Sequence, residues 1–430
     1  MADLVTLLSQ ARVLPHLPAC LDATERCYLV GGALRDFLLE RPCLDFDFAT
    51  PGDPSPLAKR FAAAIGGSWF LLDRERKQSR VVLKRQEQLF TYDFTPFRAD
   101  SLTGDLRLRD FTINALALDL SDPGGAMIDP LAGRRDLSDR VLRICSPEVL
   151  RDDPLRILRG IRLAATLDLR MEAETWQGML HGIDDLSVVA LERITHEVTL
   201  ILSDDSAVCG LGHMAELGLL PLLFGPCAGQ GSYARGIEYV RQLSARLTID
   251  REITANQSRE GLMLLRLAAF FAGSCLDPER ILRDRLCFSR RNITLIHCLL
   301  RLDCSSAAQL CNATPPGRGR ALLLESLGPN PQLCLRYLQC FCEVPDDFHT
   351  WAQEAWTDYQ THVRHGRIPD LVSGTWLRQE LKLSDGEQIG RYLQRLRQEE
   401  RAGRVRDLES AHKFLKSLAT KNIDKRGDPT

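Results

Sequence analysis

The rhythm of hydrophobic and polar positions changes once along this chain, near residue 145. Before that point short apolar runs alternate with helical periods. YLVGG (28–32) predicts a strand stopped by paired glycines, and ALRDFLLE (33–40) has the spacing of a helix. LDFDFAT (44–50) alternates with a period of two and ends at Thr50, Pro51 and Gly52. PSPLAKRFAAAIGG (54–67) predicts a helix closed by glycines, and SWFLLD (68–73), RVVLK (80–84) and LFTYDF (89–94) predict three further strands. INALALDL (113–120) and VLRICS (141–146) complete the β content. Beyond Pro147 almost everything repeats at the helical period, from DPLRILRGIRLAATLDL (153–169) to QIGRYLQRLRQEERAGRVRDL (388–408). The fold class is therefore α+β, a mixed head followed by an all-helical remainder. Seams at 145–150, 224–236 and 312–320 divide the chain into 1–145, 146–225, 226–320 and 321–430.

Composition narrows the class without naming it. A chain of 430 residues, 44% hydrophobic and 26% charged, is neither disordered nor a small disulfide scaffold. No uncharged apolar run is long enough to span a membrane, and MADLVTLLSQARVLPHL lacks the basic head of a secretory signal, so the expected location is the cytoplasm. The 14 cysteines include no C-x-x-C pair and read as buried reduced thiols. With 55 basic and 57 acidic residues the formal charge is −2, so a polyanionic partner must be held by a local patch. Nothing in the pattern calls for an obligate protein partner.

Candidate chemistry begins at Asp45 and Asp47. Two apart in a strand, both side chains point to one face while Leu44, Phe46 and Phe48 take the other. Paired carboxylates repel unless a cation lies between them, and a hard divalent ion such as Mg²⁺ suits oxygen donors. Upstream, the strand, glycines and helix start of LVGGALRD (29–36) make a turn at Gly31 and Gly32 that a phosphate can approach closely, with Arg35 adding charge. It is neither a Walker loop nor a dinucleotide fingerprint. Asp93, in LFTYDF, completes a two-ion site if its strand lies beside that of Asp45 and Asp47.

LVGGALRDFLLERPCLDFDFAT, RDFTINALALDL, DPLAGRRDL and DDPLRILRGIRLAA, in that order, resemble the class II tRNA nucleotidyltransferase and bacterial poly(A) polymerase family. The resemblance implies a polymerase-β-like nucleotidyltransferase head (1–145), a helical neck that recognises the nucleotide base (146–225), a helical body (226–320) and an RNA-binding helical tail (321–430). It implies a two-ion Mg²⁺ site at Asp45, Asp47 and Asp93, a triphosphate turn at Gly31, Gly32 and Arg35, and a ribose and triphosphate motif at Arg109, Asp110 and Asn114. Asp153 and Arg156 match the family's base-reading pair, with Arg159 and Arg162 following. A carboxylate and a guanidinium side by side can imitate a Watson–Crick edge, and the spacing places Asp153, Arg156 and Arg159 three apart on one helix.

Departures from the family pattern bear on specificity. Leu108 stands where a second arginine is usual, and Asp152 replaces a glutamate. TPFRADSLTGDLRLRDFTINA lacks the flexible insertion that full CCA-adding and A-adding relatives carry after the third carboxylate. Members that add only two cytidines also lack it, which favours CC addition from CTP; CCA addition with CTP and ATP, A addition or poly(A) synthesis, and a non-catalytic tRNA-end binder are the alternatives. Poly(A) members carry Gly-Arg-Arg-Phe near the strand that here reads RVVL. None of the nine histidines precedes an aspartate, so no HD-type phosphohydrolase site is written here. In the tail, Arg391, Arg395, Arg397, Arg401, Arg404 and Arg406 form a basic stretch suited to the backbone of a tRNA acceptor end, with a solvated helix face as the other reading.

Overall fold

The computed structural model describes residues 8–9, 11–13, 16–86, 88–122, 126–227, 232–249, 258–274, 276–312, 316–383 and 386–424. Parts of two expected seams, 228–231 and 313–315, lie outside the described residues. The chain divides into two compact units, Met1–Val198 and Thr199–Thr430, with the division inside the helix Leu191–Ser203. The division falls within the segment 146–225 expected from the sequence, so the four expected segments do not nest inside the two units.

The first unit is organised by a six-stranded mixed sheet. Its strands are β1 (Tyr28–Val30), β2 (Asp45–Thr50), β3 (Ser68–Asp73), β4 (Gln78–Arg85), β5 (Gln88–Pro96) and β6 (Ala117–Asp119). Their spatial order is β3-β4-β5-β2-β1-β6, and only the β2–β5 pair is parallel. Alternation sorts the two faces. Phe46 and Phe48 of β2, Tyr92 and Phe94 of β5 and Val81 of β4 are buried beneath the helix Ser55–Ile65, whose Phe61 meets Tyr92 edge to face at 5.2 Å. Phe48 and Phe94 stack with centroids 4.7 Å apart. Asp45 and Asp47 alternate with these rings and so emerge on the opposite, open face.

Three expected elements differ in detail. INALALDL opens as a 3-10 turn, Thr112–Asn114, before three residues of strand. VLRICS contributes only β7 (Val141–Leu142), which pairs with β8 (Arg170–Met171) in a separate two-stranded sheet. The helix expected from residue 153 begins at Arg156, because Pro154 drives Asp153 to extended backbone (φ −148°, ψ 95°) between the helices Val149–Asp152 and Arg156–Leu167.

The second unit is helical wherever it has regular structure among the described residues. Leu322, Leu338 and Phe348 centre one of its cores, and Leu377, Leu396 and Leu415 another. The buried Arg266 donates to the carbonyls of Leu202 and Asp204 at 2.9 and 2.6 Å and pairs with Asp205.

Candidate active site

Register brings the carboxylates together. Asp47 of β2 is the Cα partner of Asp93 of β5, and Asp45 that of Thr91, so all three aspartates share the open face. Neither the Asp45 nor the Asp47 carboxylate accepts a hydrogen bond from the described residues, whereas both Asp93 oxygens are taken by Arg80, its partner across β4, at 2.6 and 2.7 Å. Asp47 is reachable by water yet hemmed in by protein. That burial holds its carboxyl above the ordinary value, opposed by Arg109 and reinforced by Asp93. Among the described residues no three or more Asp, Glu, His or Cys side chains form a ready-made metal cluster. Two free hard-oxygen carboxylates nonetheless fit Mg²⁺, which commonly takes one or two protein carboxylates and completes its shell with water and substrate phosphate. The expected third ligand, Asp93, becomes available only if Arg80 lets go.

Beside the carboxylates, Gly31 turns the chain with φ +80°, and a Cβ there would lie 3.1 Å from Arg109 Nη1 and 3.5 Å from Asp47 Oδ2. The positive φ is what favours glycine here, since the nearest neighbour of such a Cβ is the end of a flexible arginine side chain. Its N–H donates to Leu116 O at 3.2 Å, so this amide, contrary to the expectation of a phosphate-facing donor, is spent within the sheet. Gly32 packs against the guanidinium of Arg35, which donates to Asn114 Oδ1 at 2.6 Å and pairs with Asp36. Asn114 in turn donates to Asp110 Oδ1 at 3.0 Å, and Arg159 donates to Asp110 Oδ2. Burial alone would raise the Asp110 carboxyl; Arg159, Asn114 and the Phe111 amide overcome it and hold the group at about 2.

A cavity of about 850 Å³ opens here, with Asp47, Arg109, Asp110, Asp153, Arg156 and Arg159 on its wall. Arg109 donates to Asp105 at 3.1 Å, while its Nε is buried without a partner, a donor left over for an anion. Asp153 and Arg156, the pair expected to read the base, do not share one helical face. Asp153, ahead of the helix, accepts from Arg193 Nη2 at 2.8 Å, and Arg156 donates to the carbonyls of Val149 and Leu108 at 3.0 and 3.1 Å. Both line the cavity without pairing with each other. Arg162 is bound to the buried Glu197 at 2.7 Å.

Several supporting residues were given no role by sequence reasoning. Buried Asp105 holds both Arg98 and Arg109, and their positive charges keep its carboxyl low against burial. In DPLAGRRDL, Asp136 accepts from Thr112 Oγ1 at 2.7 Å, and Asp129 accepts from the amides of Gly133 and Arg134. That motif thus clamps the turn presenting Asn114. Arg80 and Arg193 carry no motif signal; only strand register and the return of the helix Leu191–Ser203 bring them in.

The six tail arginines do not form one free stripe. Arg397 is tied to Glu325 and Asp370, each at 2.7 Å, and to Ile368 O; Arg404 is paired with Glu399 and Arg406 donates to Gly403 O. The Nε of Arg401 is buried. Arg391 and Arg395, one turn apart on the helix Gly386–Arg401, remain exposed.

A mixed sheet with free co-facial aspartates beside an arginine-rich cavity defines a nucleotidyltransferase head. Residues 27–143 match the poly A polymerase head domain, and residues 168–228 match the probable RNA and SrmB-binding site of polymerase A. The CC-adding tRNA nucleotidyltransferase of Geobacter sulfurreducens is 33% identical over 424 residues, covering 91% of this chain and 92% of the relative. The A-adding tRNA nucleotidyltransferase of Deinococcus radiodurans is 38% identical over 234 residues, 51% of this chain and 52% of the relative. A crystal structure of the Bacillus stearothermophilus CCA-adding enzyme in complex with CTP superposes with a TM-score of 0.75 at 21% identity, covering 97% of this chain and 99% of that one. The chain belongs to the tRNA nucleotidyltransferase and poly(A) polymerase family.

Proposed function

We propose that this protein adds two cytidines from CTP to the 3′ end of tRNA, releasing pyrophosphate. The observation that carries the reading is the short, pinned connection after β5. The strand ends at Pro96 and the next helix starts at Leu102, capped by Ser101 Oγ accepting from Gly104 N at 3.1 Å, while Arg98 is fastened to Asp105 at 3.0 Å. No long insertion is present there to re-aim the base-reading side chains from cytosine to adenine. Asp153 offers an acceptor for the cytosine amino group and Arg156 donors for its ring acceptors. The Geobacter sulfurreducens similarity across 91% of the chain supports the same reading.

In the chemical step Asp45 and Asp47 would hold Mg²⁺, which when bound supplies charge neutralisation and lowers the pKa of the attacking hydroxyl. The chain's own groups orient the nucleotide. Arg109, with its unpaired Nε, takes the triphosphate; Asn114, buried and fixed between Arg35 and Asp110, holds the turn beside the carboxylates in place; the cavity wall selects the base. In this reading residues 1–145 are the head, 146–225 the neck, 226–320 the body and 321–430 the tail, working in the cytoplasm. Among the described residues no helix is long and apolar enough to cross a membrane.

The test is incorporation of labelled CTP or ATP, with Mg²⁺, into a tRNA transcript lacking its last three nucleotides. Extension by two cytidines without adenosine is expected. Adenosine added after the cytidines would transfer the assignment to complete CCA addition, and adenosine without cytidine to the A-adding class.

A further inference from the structure

The open face of the sheet carries a cation of its own. One row of Cα partners runs Asp47, Asp93, Arg80 across β2, β5 and β4, so a guanidinium closes the row of carboxylates. Arg80 Nε donates to Asp93 Oδ1 at 2.6 Å and Nη2 to Oδ2 at 2.7 Å, a planar fork that covers both oxygens of one carboxylate. Asp45 and Asp47 add to Asp93 in stabilising that charge, so the three acids and the arginine form one electrostatic group. The Arg80 side chain is 39% exposed and that of Asp93 24%. A pair so open to water contributes little to folding, and it can part without unpairing the strands. Neither residue lines the nucleotide cavity, whose wall takes Asp47 alone of the three aspartates.

We propose that Arg80 withholds Asp93 from the metal. In the protein without nucleotide Asp45 and Asp47 hold the ion, and Asp93 joins them only where the guanidinium is displaced. Arg80 is thus a positioning residue that acts through Asp93. The inference rests on the metal-assisted transfer proposed above and deepens it, by naming the carboxylates that the ion meets first. A hard cation seeks oxygens whose charge is unshared, and on Asp93 it meets a fixed positive charge that no working pH removes. The plainer role, a cross-strand tie between β4 and β5, predicts a loss of stability on removal and no change toward metal. Register favours competition: Asp93 is the direct neighbour of Asp47, so a carboxylate left bare there is placed to share the ion that Asp47 holds.

The experiment measures equilibrium Mn²⁺ binding by the full chain, without CTP or RNA, for the parent, Arg80→Ala and the double variant Arg80→Ala with Asp93→Asn. Arg80→Ala is expected to bind Mn²⁺ about tenfold tighter than the parent, and the double variant to return within about twofold of it. Water-proton relaxation, which counts the waters left on bound Mn²⁺, should report fewer in Arg80→Ala, because a carboxylate oxygen has replaced water. Added Mn²⁺ should also raise the melting midpoint of Arg80→Ala more than that of the parent, which shows that the variant is folded and loaded. Unchanged Mn²⁺ affinity with a lowered midpoint makes the pair a structural tie and overturns the proposal. A gain that survives in the double variant, or an unchanged water count, overturns it as well. A protein that meets every metal expectation yet adds no cytidine defeats the transferase reading and leaves the role of Arg80 standing.

Discussion

Asn114 is the side chain through which two halves of the site are held in register. Its carbonyl accepts from Arg35 and its amide donates to Asp110, so the turn beside the carboxylates and Arg159 of the helix Arg156–Leu167 are joined through one amide group. The arrangement depends on Asp110 being ionised although buried. Its carboxyl lies at about 2 against an ordinary 3.8, a difference equivalent to about 2 kcal/mol of stability at neutral pH. Because the folded-state value is depressed, that contribution is complete above pH about 4 and is lost as pH falls through about 2. Asp110→Asn should therefore unfold about 2 kcal/mol more easily than the parent at pH 7, with the gap closing toward pH 2. Urea titrations at several pH values measure it. A gap that stays constant with pH would mean that the charge on Asp110 is not what the variant removes.

At the scale of elements, the site is built by a short turn pressed between others. The helix Gly133–Ser138 abuts the turn Thr112–Asn114, and a Cβ at Gly133 would fall 2.0 Å from Thr112 O. Backbone cannot yield as a flexible side chain can, so Gly133→Ala should cost about 1–3 kcal/mol and displace Asn114, lowering kcat well beyond the loss of folded protein. Gly52→Ala, where a Cβ meets nothing within 4 Å, is the control for both urea midpoint and turnover. These elements were unequally legible. The period of two in LDFDF is a local property and correctly put Asp45 and Asp47 on one face. Arg80 opposite Asp93 depends on strand pairing, and Asp105 beneath two arginines depends on a helix whose six residues are too few to show a period. Asp153 was misplaced for the opposite reason: the apolar period of 153–169 is real, but the residue before a proline is sterically turned from helix, a local rule that outranks the period there.

For the whole molecule the decisive quantity is where positive charge is free. A net charge of −2 gives no general attraction to RNA, so the contribution of each arginine depends on whether protein carboxylates already neutralise it. Arg397 is bound by Glu325 and Asp370 and also donates to Ile368 O, which makes it a structural cross-link of the tail; Arg391 and Arg395 face solvent from the same helix. Removing each kind should therefore fail in a different way. Arg397→Ala leaves two partly buried carboxylates unpaired and should lower the unfolding midpoint, with RNA binding lost only in proportion to unfolding. Arg391→Ala and Arg395→Ala should leave the midpoint unchanged, weaken RNA binding, and each reduce the slope of log Kd against log salt by about 1, the signature of one lost phosphate contact. Thermal melts and a salt series with one tRNA transcript measure both effects. If the exposed pair leaves the slope as it was, the helix Gly386–Arg401 is a solvated face and the RNA grip lies on other residues, because counterion release responds to every phosphate a cation neutralises.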